Sequence, residues 1–422
     1  MRILIAGATG FIGAALARTL ALQGHTLRLA VRDVSRAQAH WPDAEIVQAD
    51  FVTMTRREDW TPLLAGVDAI VNAVGLIAPT RYASFETVHV DAAGALFAAA
   101  AQTGARVVQI SALGADDAAT TAFHRSKRAA DRALAESGVP ACSVQPSLVF
   151  GAGGSSAQLF VQLAMMPLLA LPAADARVQP IHIDDLCEAI AALLAAPHMP
   201  AQLAAVGSRD VTVEEYVAIL RRGLGLRPAR IVALSDAAAQ AIARAGTALH
   251  LPFDRERWSM LRRGNCADAA AITQLLGRPP RAPEQFLTSG EATAQRDAAR
   301  FALTAWLLRA SVAIVWFVSG IVSLGVWPVA DSLALLARCG LRGSAALVAL
   351  YGAAALDIAF GLATLLLRRQ RWVYDLQIAL VLAYSAIIAV FLPQFLLHPY
   401  APIVKNLVML AAIAALRMDA RR

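Results

Sequence analysis

The chain has 422 residues, 58% of them hydrophobic, with a formal net charge of +7 at neutral pH. Its length exceeds that of one ordinary domain, and its apolar fraction exceeds the soluble norm of roughly 45–50%. The positive charge does not mark a nucleic-acid binder. Lys127 and Lys405 are the only lysines, and the arginines are spread along the chain, denser only beside the C-terminal apolar runs, instead of clustering as a phosphate-binding patch would.

The N-terminal part alternates strands and helices. Strands are predicted at Ile3–Ala6, Thr26–Val31, Glu45–Ala49, Asp68–Asn72, Arg106–Ile110, Cys142–Gln145 and Val178–Ile181. Helices are predicted at Ile12–Gln23, Glu86–Gln102, Ser126–Glu136 and Asp184–Ala195. Continuously apolar strands alternating with helices imply a parallel sheet covered on both faces, the doubly wound α/β class. Residues 196–277 read as a small mixed cap, with a strand near Ala204–Val206 and helices at Val213–Gly223 and Asp236–His250. This assigns 1–277 to one dinucleotide-binding domain. Residues 278–300, with Arg278-Pro-Pro-Arg-Ala-Pro-Glu followed by Thr288-Ser-Gly-Glu-Ala-Thr, have the composition of a linker.

Beyond the linker, residues 301–422 hold four apolar segments, about 303–327, 343–367, 376–397 and 401–417. About 20 helical residues span a bilayer, so an all-α transmembrane four-helix bundle is expected. Arg296, Arg300, Arg368, Arg369, Arg371, Arg417, Arg421 and Arg422 flank one side; Arg338, Arg342 and His398 flank the other. The bias places both termini in the cytoplasm, as for a multi-pass protein of a bacterial-type inner membrane. Asp357, mid-segment, is expected to pair with Arg309 or Lys405, or to line a polar pocket.

Cys142, Cys187, Cys266 and Cys339 stand far apart with no histidine cluster, so neither a metal site nor a disulfide framework is expected. The N-terminus reaches a glycine loop after six residues, too early for a signal peptide.

That loop, Gly7-Ala-Thr-Gly10-Phe-Ile-Gly13, follows the first strand and opens a helix. In this context the glycines permit the tight turn, the approach of a pyrophosphate and the packing of helix on strand, and the helix N-terminus attracts the anion. Thr9, Phe11 and Ile12 share the loop. Arg32 and Arg36, after the second strand, suit a 2′-phosphate, which favours NADP(H) over NAD(H); Asp33 keeps NAD(H) open. Asp50 and Phe51 follow the third strand toward the adenine, and Ala73, Val74 and Gly75 follow the fourth toward the ribose.

With Ile110-Ser-Ala-Leu-Gly114, Phe123-His-Arg-Ser-Lys127, Gln145-Pro-Ser-Leu-Val-Phe-Gly151 and Gln179-Pro-Ile-His-Ile-Asp-Asp185, these motifs resemble the short-chain dehydrogenase/reductase superfamily. They resemble its extended, atypical branch: NmrA-like proteins and the dehydrogenase-like accessory subunit of respiratory complex I. The tail resembles the DoxX-like membrane family. The resemblance implies a Rossmann-type fold, catalytic roles for Ser111 and Lys127, and Pro146 and the Gly151–Gly154 loop beside the nicotinamide and substrate. It also implies a tyrosine four residues before the lysine, where this chain has Phe123.

Without that phenol three readings stand. The domain binds the nucleotide without turnover, as a sensor, assembly or structural protein; it passes hydride to a quinone-like or other lipophilic acceptor; or another group, with His124 as candidate, supplies the proton. A hydride-transferring enzyme is the reading carried forward. Asp184 is expected to N-cap its helix and not to act in catalysis.

Overall fold

The computed structural model describes residues 1–248, 254–397 and 402–420. His250, His398, Ala401, Arg421 and Arg422, which entered the sequence reading, lie outside them. The chain divides into Met1–Arg296 and Asp297–Arg422, a boundary within the helix Ser289–Ile321.

The first unit is built on seven parallel strands: β1 (Arg2–Ala6), β2 (Thr26–Val31), β3 (Glu45–Gln48), β4 (Ala69–Asn72), β5 (Arg106–Ile110), β6 (Ala141–Pro146) and β7 (Gln202–Ala205), in the order β3-β2-β1-β4-β5-β6-β7. Alternate residues of β1 serve the two faces. Ile3 and Ile5 join Leu16 and Leu20 of the helix Phe11–Leu22 and Leu186 and Ile190 of Ile183–Ala195, while Leu4 and Ala6 join Leu96 and Phe97 of Ala92–Ala100. Each such fully buried Leu or Ile contributes roughly 1.5–3 kcal/mol. The sheet order reverses between β1 and β4, so the loops that leave their C-terminal ends meet at the crevice where doubly wound sheets bind ligands.

Several elements differ from expectation. Residues near 204–206 were expected in the cap, but Gln202–Ala205 pairs with β6 and completes the main sheet. The expected strand Val178–Ile181 breaks at Pro180, which lacks an N–H. Arg177–Val178 pairs with Val211–Thr212, and Ile181–His182 pairs with Val149–Phe150. The helix expected from Ser126 begins at Ala122, because Thr121 Oγ1 accepts from His124 N at 3.3 Å. The small elements outside the sheet draw on residues before 196 as well, since Leu168–Leu171 pairs with Arg230–Ala233.

Asp184 is not the cap of Ile183–Ala195. The helix starts one residue before it, and His182 Nδ1 accepts from Asp184 N instead. Asp184 pairs with Arg281 at 2.8 Å, and the fully buried Asp185 accepts from Arg278 Nη2 at 2.8 Å and Arg281 N at 2.7 Å. The expected linker is therefore partly pinned to the sheet domain. Its second half is helical from Ser289, where Thr288 and Glu291 exchange hydrogen bonds across the first turn.

In the second unit, Ser289–Val326, Gly343–Leu366 and Arg371–Phe391 are long and apolar enough to cross a membrane. Pro402–Asp419 adds a fourth apolar helix, and Val329–Arg338 a short one the hydropathy pattern had not separated. Large apolar side chains such as Leu366, Val348 and Val390 are 70–75% exposed, the arrangement expected of a lipid-facing surface. Small residues bring helices together: a Cβ on Gly320 would lie 2.8 Å from Ala354 O, and one on Gly361 2.8 Å from the Phe317 ring.

The ion pairs differ from those expected. Arg309 pairs with Asp419 at 3.0 Å, and Arg417 pairs with Asp375. Asp357 pairs with neither Arg309 nor Lys405; its Oδ2 accepts from Ser319 Oγ at 2.6 Å and its buried Oδ1 has no partner among the described residues. Arg309 and Arg417 find their counter-charges in Asp419 and Asp375, whereas Asp357 sits mid-helix against the Ser319 hydroxyl.

Candidate active site

The glycine loop is shaped by contacts that admit no side chain. Gly7 has φ +80°, and a Cβ there would lie 3.0 Å from the carbonyl carbon of Ala73, so the loops after β1 and β4 touch. Gly10 N donates to Gly7 O at 2.9 Å, closing the turn, and a Cβ on Gly13 would lie 2.2 Å from Gly7 O. The helix that follows has Gly10 as its N-cap with no side-chain cap bond. This cradle fits a dinucleotide pyrophosphate: glycine backbone and a helix N-terminus with no side-chain cap. Thr9 and Gly10 are exposed, while Phe11 turns its ring under the loop after β6, 2.9 Å from where a Cβ on Gly154 would stand.

At the end of β2, Asp33 Oδ1 accepts from Arg36 N at 3.0 Å and N-caps Val34–His40. Asp33 is thus engaged, and the Arg32 and Arg36 side chains are left exposed. Asp50 Oδ1 accepts from Val52 N at 3.0 Å, and Phe51 is buried edge-on to Trp60, so its ring belongs to the core. Ala73–Gly75 is held by Asn72, whose Oδ1 accepts from Val74 N at 3.2 Å while its Nδ2 donates to Gln109 Oε1 at 2.8 Å.

Ser111, Phe123 and Lys127 stand at or beside the C-terminal ends of the central strands. Lys127 is 4% exposed; its Nζ donates to Ile110 O at 2.9 Å and Val74 O at 3.4 Å, and would be 3.2 Å from a Cβ on Gly75. Burial pushes its ammonium down to about 8, against the opposing pull of Asp131. The half-buried Phe123 ring lies against Phe85, His89 and His124. Pro146 is buried, and its carbonyl accepts from Leu113 N.

His124 was considered beside Lys127, but its buried ring is turned to Thr121, 3.1 Å from Nδ1 to Oγ1, and to Gly114. The histidine next to Lys127 is His89, which no motif indicated. It sits in a π-helical turn, Glu86–Asp91, a feature frequent at functional sites. Leu76 N donates to His89 Nε2 at 2.8 Å, so Nδ1 carries the ring proton and donates to Ser126 Oγ at 2.8 Å, and Ser126 Oγ donates to Phe123 O. His89 thereby ties the loop after β4 to the Phe123–Lys127 helix.

Burial, reinforced by the Lys127 charge, pushes His89 down to about 3. Between its ordinary value of 6.5 and about 3, the unfolded chain binds a proton that the folded chain refuses, so stability falls as pH falls. We expect on the order of 2 kcal/mol lost between about pH 6.5 and 4.5, at 1.36 kcal/mol per unit. Thermal unfolding of the full chain in detergent should show this, with a shallower slope in His89→Gln; equal slopes would refute the assignment.

A second residue missed by motif reading is Asp131, one helical turn after Lys127. It is 4% exposed and accepts from Ser111 Oγ at 2.6 Å and Gln145 Nε2 at 3.3 Å. The four-residue step Phe123, Lys127, Asp131 was the available signal.

Residues 3–204 match the NAD dependent epimerase/dehydratase family, and residues 313–414 match the DoxX-like family. The chain is 30% identical over 240 residues to a ceramide reductase of Caulobacter vibrioides, covering 56% of this chain and 74% of that protein. Among solved structures, a nucleoside-diphosphate-sugar epimerase from Staphylococcus aureus matches with TM-score 0.55 at 20% identity, over 68% of this chain and 99% of its own. A UDP-glucuronic acid 4-epimerase from Bacillus cereus, solved with UDP-glucuronic acid and NAD, matches with TM-score 0.52 at 14% identity, over 71% and 99%. The chain belongs to the NAD dependent epimerase/dehydratase family within the short-chain dehydrogenase/reductase fold, joined to a DoxX-like membrane domain.

Proposed function

We propose that the protein is a membrane-anchored NADP(H)-dependent reductase of a lipophilic carbonyl compound, with a long-chain ketone of the ceramide class as first choice. The carrying observation is the buried Lys127, fixed beside Gly75 on the helix that also presents Asp131 to Ser111. The ceramide reductase relative supports the acceptor class, and the attached membrane helices suit a substrate that resides in lipid.

The Gly7–Gly13 loop would hold the pyrophosphate, and Lys127 the nicotinamide ribose. Arg32 and Arg36, exposed while Asp33 is engaged in capping, would accept a 2′-phosphate. Bound, the dinucleotide would supply the hydride, and Ser111 Oγ would hold the acceptor oxygen. A quinone acceptor is the second reading, favoured by Phe123, because the family's phenol is not there to serve a ketone.

Purified full-length protein should enhance NADPH fluorescence and oxidise NADPH when given a ceramide-type ketone in micelles. Oxidation with a quinone alone would select the second reading, and binding without turnover on either acceptor would sink both. Arg32→Ala should raise the NADPH dissociation constant about tenfold, about 1.4 kcal/mol, and leave that for NADH within about twofold. No change with either nucleotide would remove the NADP(H) preference. We further propose that all four long apolar helices cross a bacterial-type inner membrane with both termini cytoplasmic. A reporter fused after residue 370 should then face the cytoplasm, and a periplasmic reporter signal would reverse the assignment.

A further inference from the structure

We infer that Asp131, acting through the Ser111 hydroxyl, is the proton reservoir that stands in for the missing phenol. This rests on the reductase reading above and deepens it.

Three observations converge on the pair. Ser111 Oγ and Asp131 Oδ2 are 2.6 Å apart with both residues buried, so neither group exchanges this bond for water. Asp131 lies one helical turn beyond Lys127, itself one turn beyond Phe123, so the carboxyl shares the helix face that carries the family's catalytic pair. Its other oxygen, Oδ1, is buried with no hydrogen bond of normal geometry. A carboxylate there would leave the Oδ1 lone pairs desolvated with no donor of normal geometry among the described residues, whereas a carboxylic acid leaves less charge uncompensated. In keeping with this, burial raises the Asp131 carboxyl, opposed by the Ser111, Gln145 and Ser143 side chains and by Lys127.

A serine hydroxyl that gives up its proton alone is left as an alkoxide about as basic as the product, so the transfer gains nothing without a partner that re-protonates the serine. With Asp131 protonated, the hydrogen bond reverses: Asp131 donates to Ser111 Oγ, which frees the Ser111 proton for the substrate oxygen. As the carbonyl carbon takes up hydride, the C=O π bond opens, and its oxygen takes the proton from Ser111 Oγ. Ser111 recovers its proton from Asp131, leaving the hydroxyl unchanged and the carboxylate charged. One hydride and one proton convert the ketone to a secondary alcohol, and Asp131 takes a proton from water before the next turnover. His89 cannot serve, because both of its ring nitrogens are held in hydrogen bonds within the fold.

The titratable groups facing Asp131 are Lys127 on its own helix and Cys142 on β6. Cys142 is pushed up to about 12 by burial and is silent over the working range. Lys127, held at about 8 by burial, stays charged below that pH. Turnover should be highest while Asp131 is protonated and fall as pH rises through its folded value. Asp131→Asn should lower kcat about 100-fold with the NADPH dissociation constant within about twofold, and should abolish that fall with rising pH. Asp131→Glu should restore part of kcat and the pH dependence.

A readout independent of turnover is the infrared carbonyl band of a protonated carboxylic acid in the full-length protein without nucleotide. The band should be present at mildly acidic pH, vanish in Asp131→Asn and shift in Ser111→Ala. A wild-type spectrum lacking an Asp131 band, or an Asn variant with unaltered kcat and pH profile, overturns the inference. If the band behaves as expected while no carbonyl substrate is reduced, the reductase reading fails and the protonated pair stands.

Discussion

Gly13→Ala is expected to abolish nicotinamide dinucleotide binding. A Cβ at that position would lie 2.2 Å from Gly7 O and 2.8 Å from Gly7 C, well inside any real contact. These are backbone atoms, and Gly7 cannot retreat, because its own left-handed conformation is packed against the carbonyl of Ala73. The helix Phe11–Leu22 must therefore move off β1, carrying the N-terminal N–H groups away from the pyrophosphate position. We expect the NADPH dissociation constant to rise at least about 100-fold, about 2.7 kcal/mol. Gly94→Ala is the matched control: it is helical, has open space around its Cβ position, and should be neutral or stabilising by up to about 1 kcal/mol. Tight NADPH binding by Gly13→Ala would mean that the pyrophosphate lies elsewhere.

Phe123→Tyr is expected to raise ketone reduction by at least about tenfold and to free it from Asp131. The substitution adds one hydroxyl to a half-buried ring, one turn before an ammonium whose low pKa reflects burial. A nearby cation favours the phenolate, so the new tyrosine would be a better acid than a free phenol. The decisive comparison is the double variant. If the Ser111–Asp131 pair is the native proton source, Phe123→Tyr should rescue most of the turnover that Asp131→Asn removes, since two independent donors then serve one oxygen. Equal activity of the single and double Asp131 variants would mean that the Phe123 side chain points away from the reacting carbonyl, and that the helix register alone does not define the site.

The fold was legible because two local signals carry it. Strand–helix alternation needs no long-range knowledge, and the glycine motif names both a turn and the packing of a helix on a strand. The elements misread are those where a distant partner decides. Gln202–Ala205 carries no signal that it will find β6 and not the cap, and the break at Pro180 matters only because two different strands claim its flanks. Asp184 had the composition of a cap but lies one residue too late, displaced by the His182 side chain and captured by Arg281. The expected pairing of Asp357 failed for a related reason: opposite charges along a sequence do not say which helix faces meet, and Arg309 reaches Asp419 instead.

The amino-acid sequence by itself determined the doubly wound domain, the tight glycine turn, the apolar helices of the tail and the phenylalanine at 123, because each is written within one element or one turn. What surrounds Lys127 was decided only by the tertiary structure. His89, from a π-helical turn, and Asp131, bonded to a serine twenty residues earlier, come together because β4, β5 and the Ala122–Glu136 helix converge at one end of the sheet. Burial there changes what the groups are: it holds His89 neutral, lowers Lys127 and raises Asp131. Chemistry that depends on desolvation has no local signature, since desolvation is a property of what the rest of the chain packs around a group.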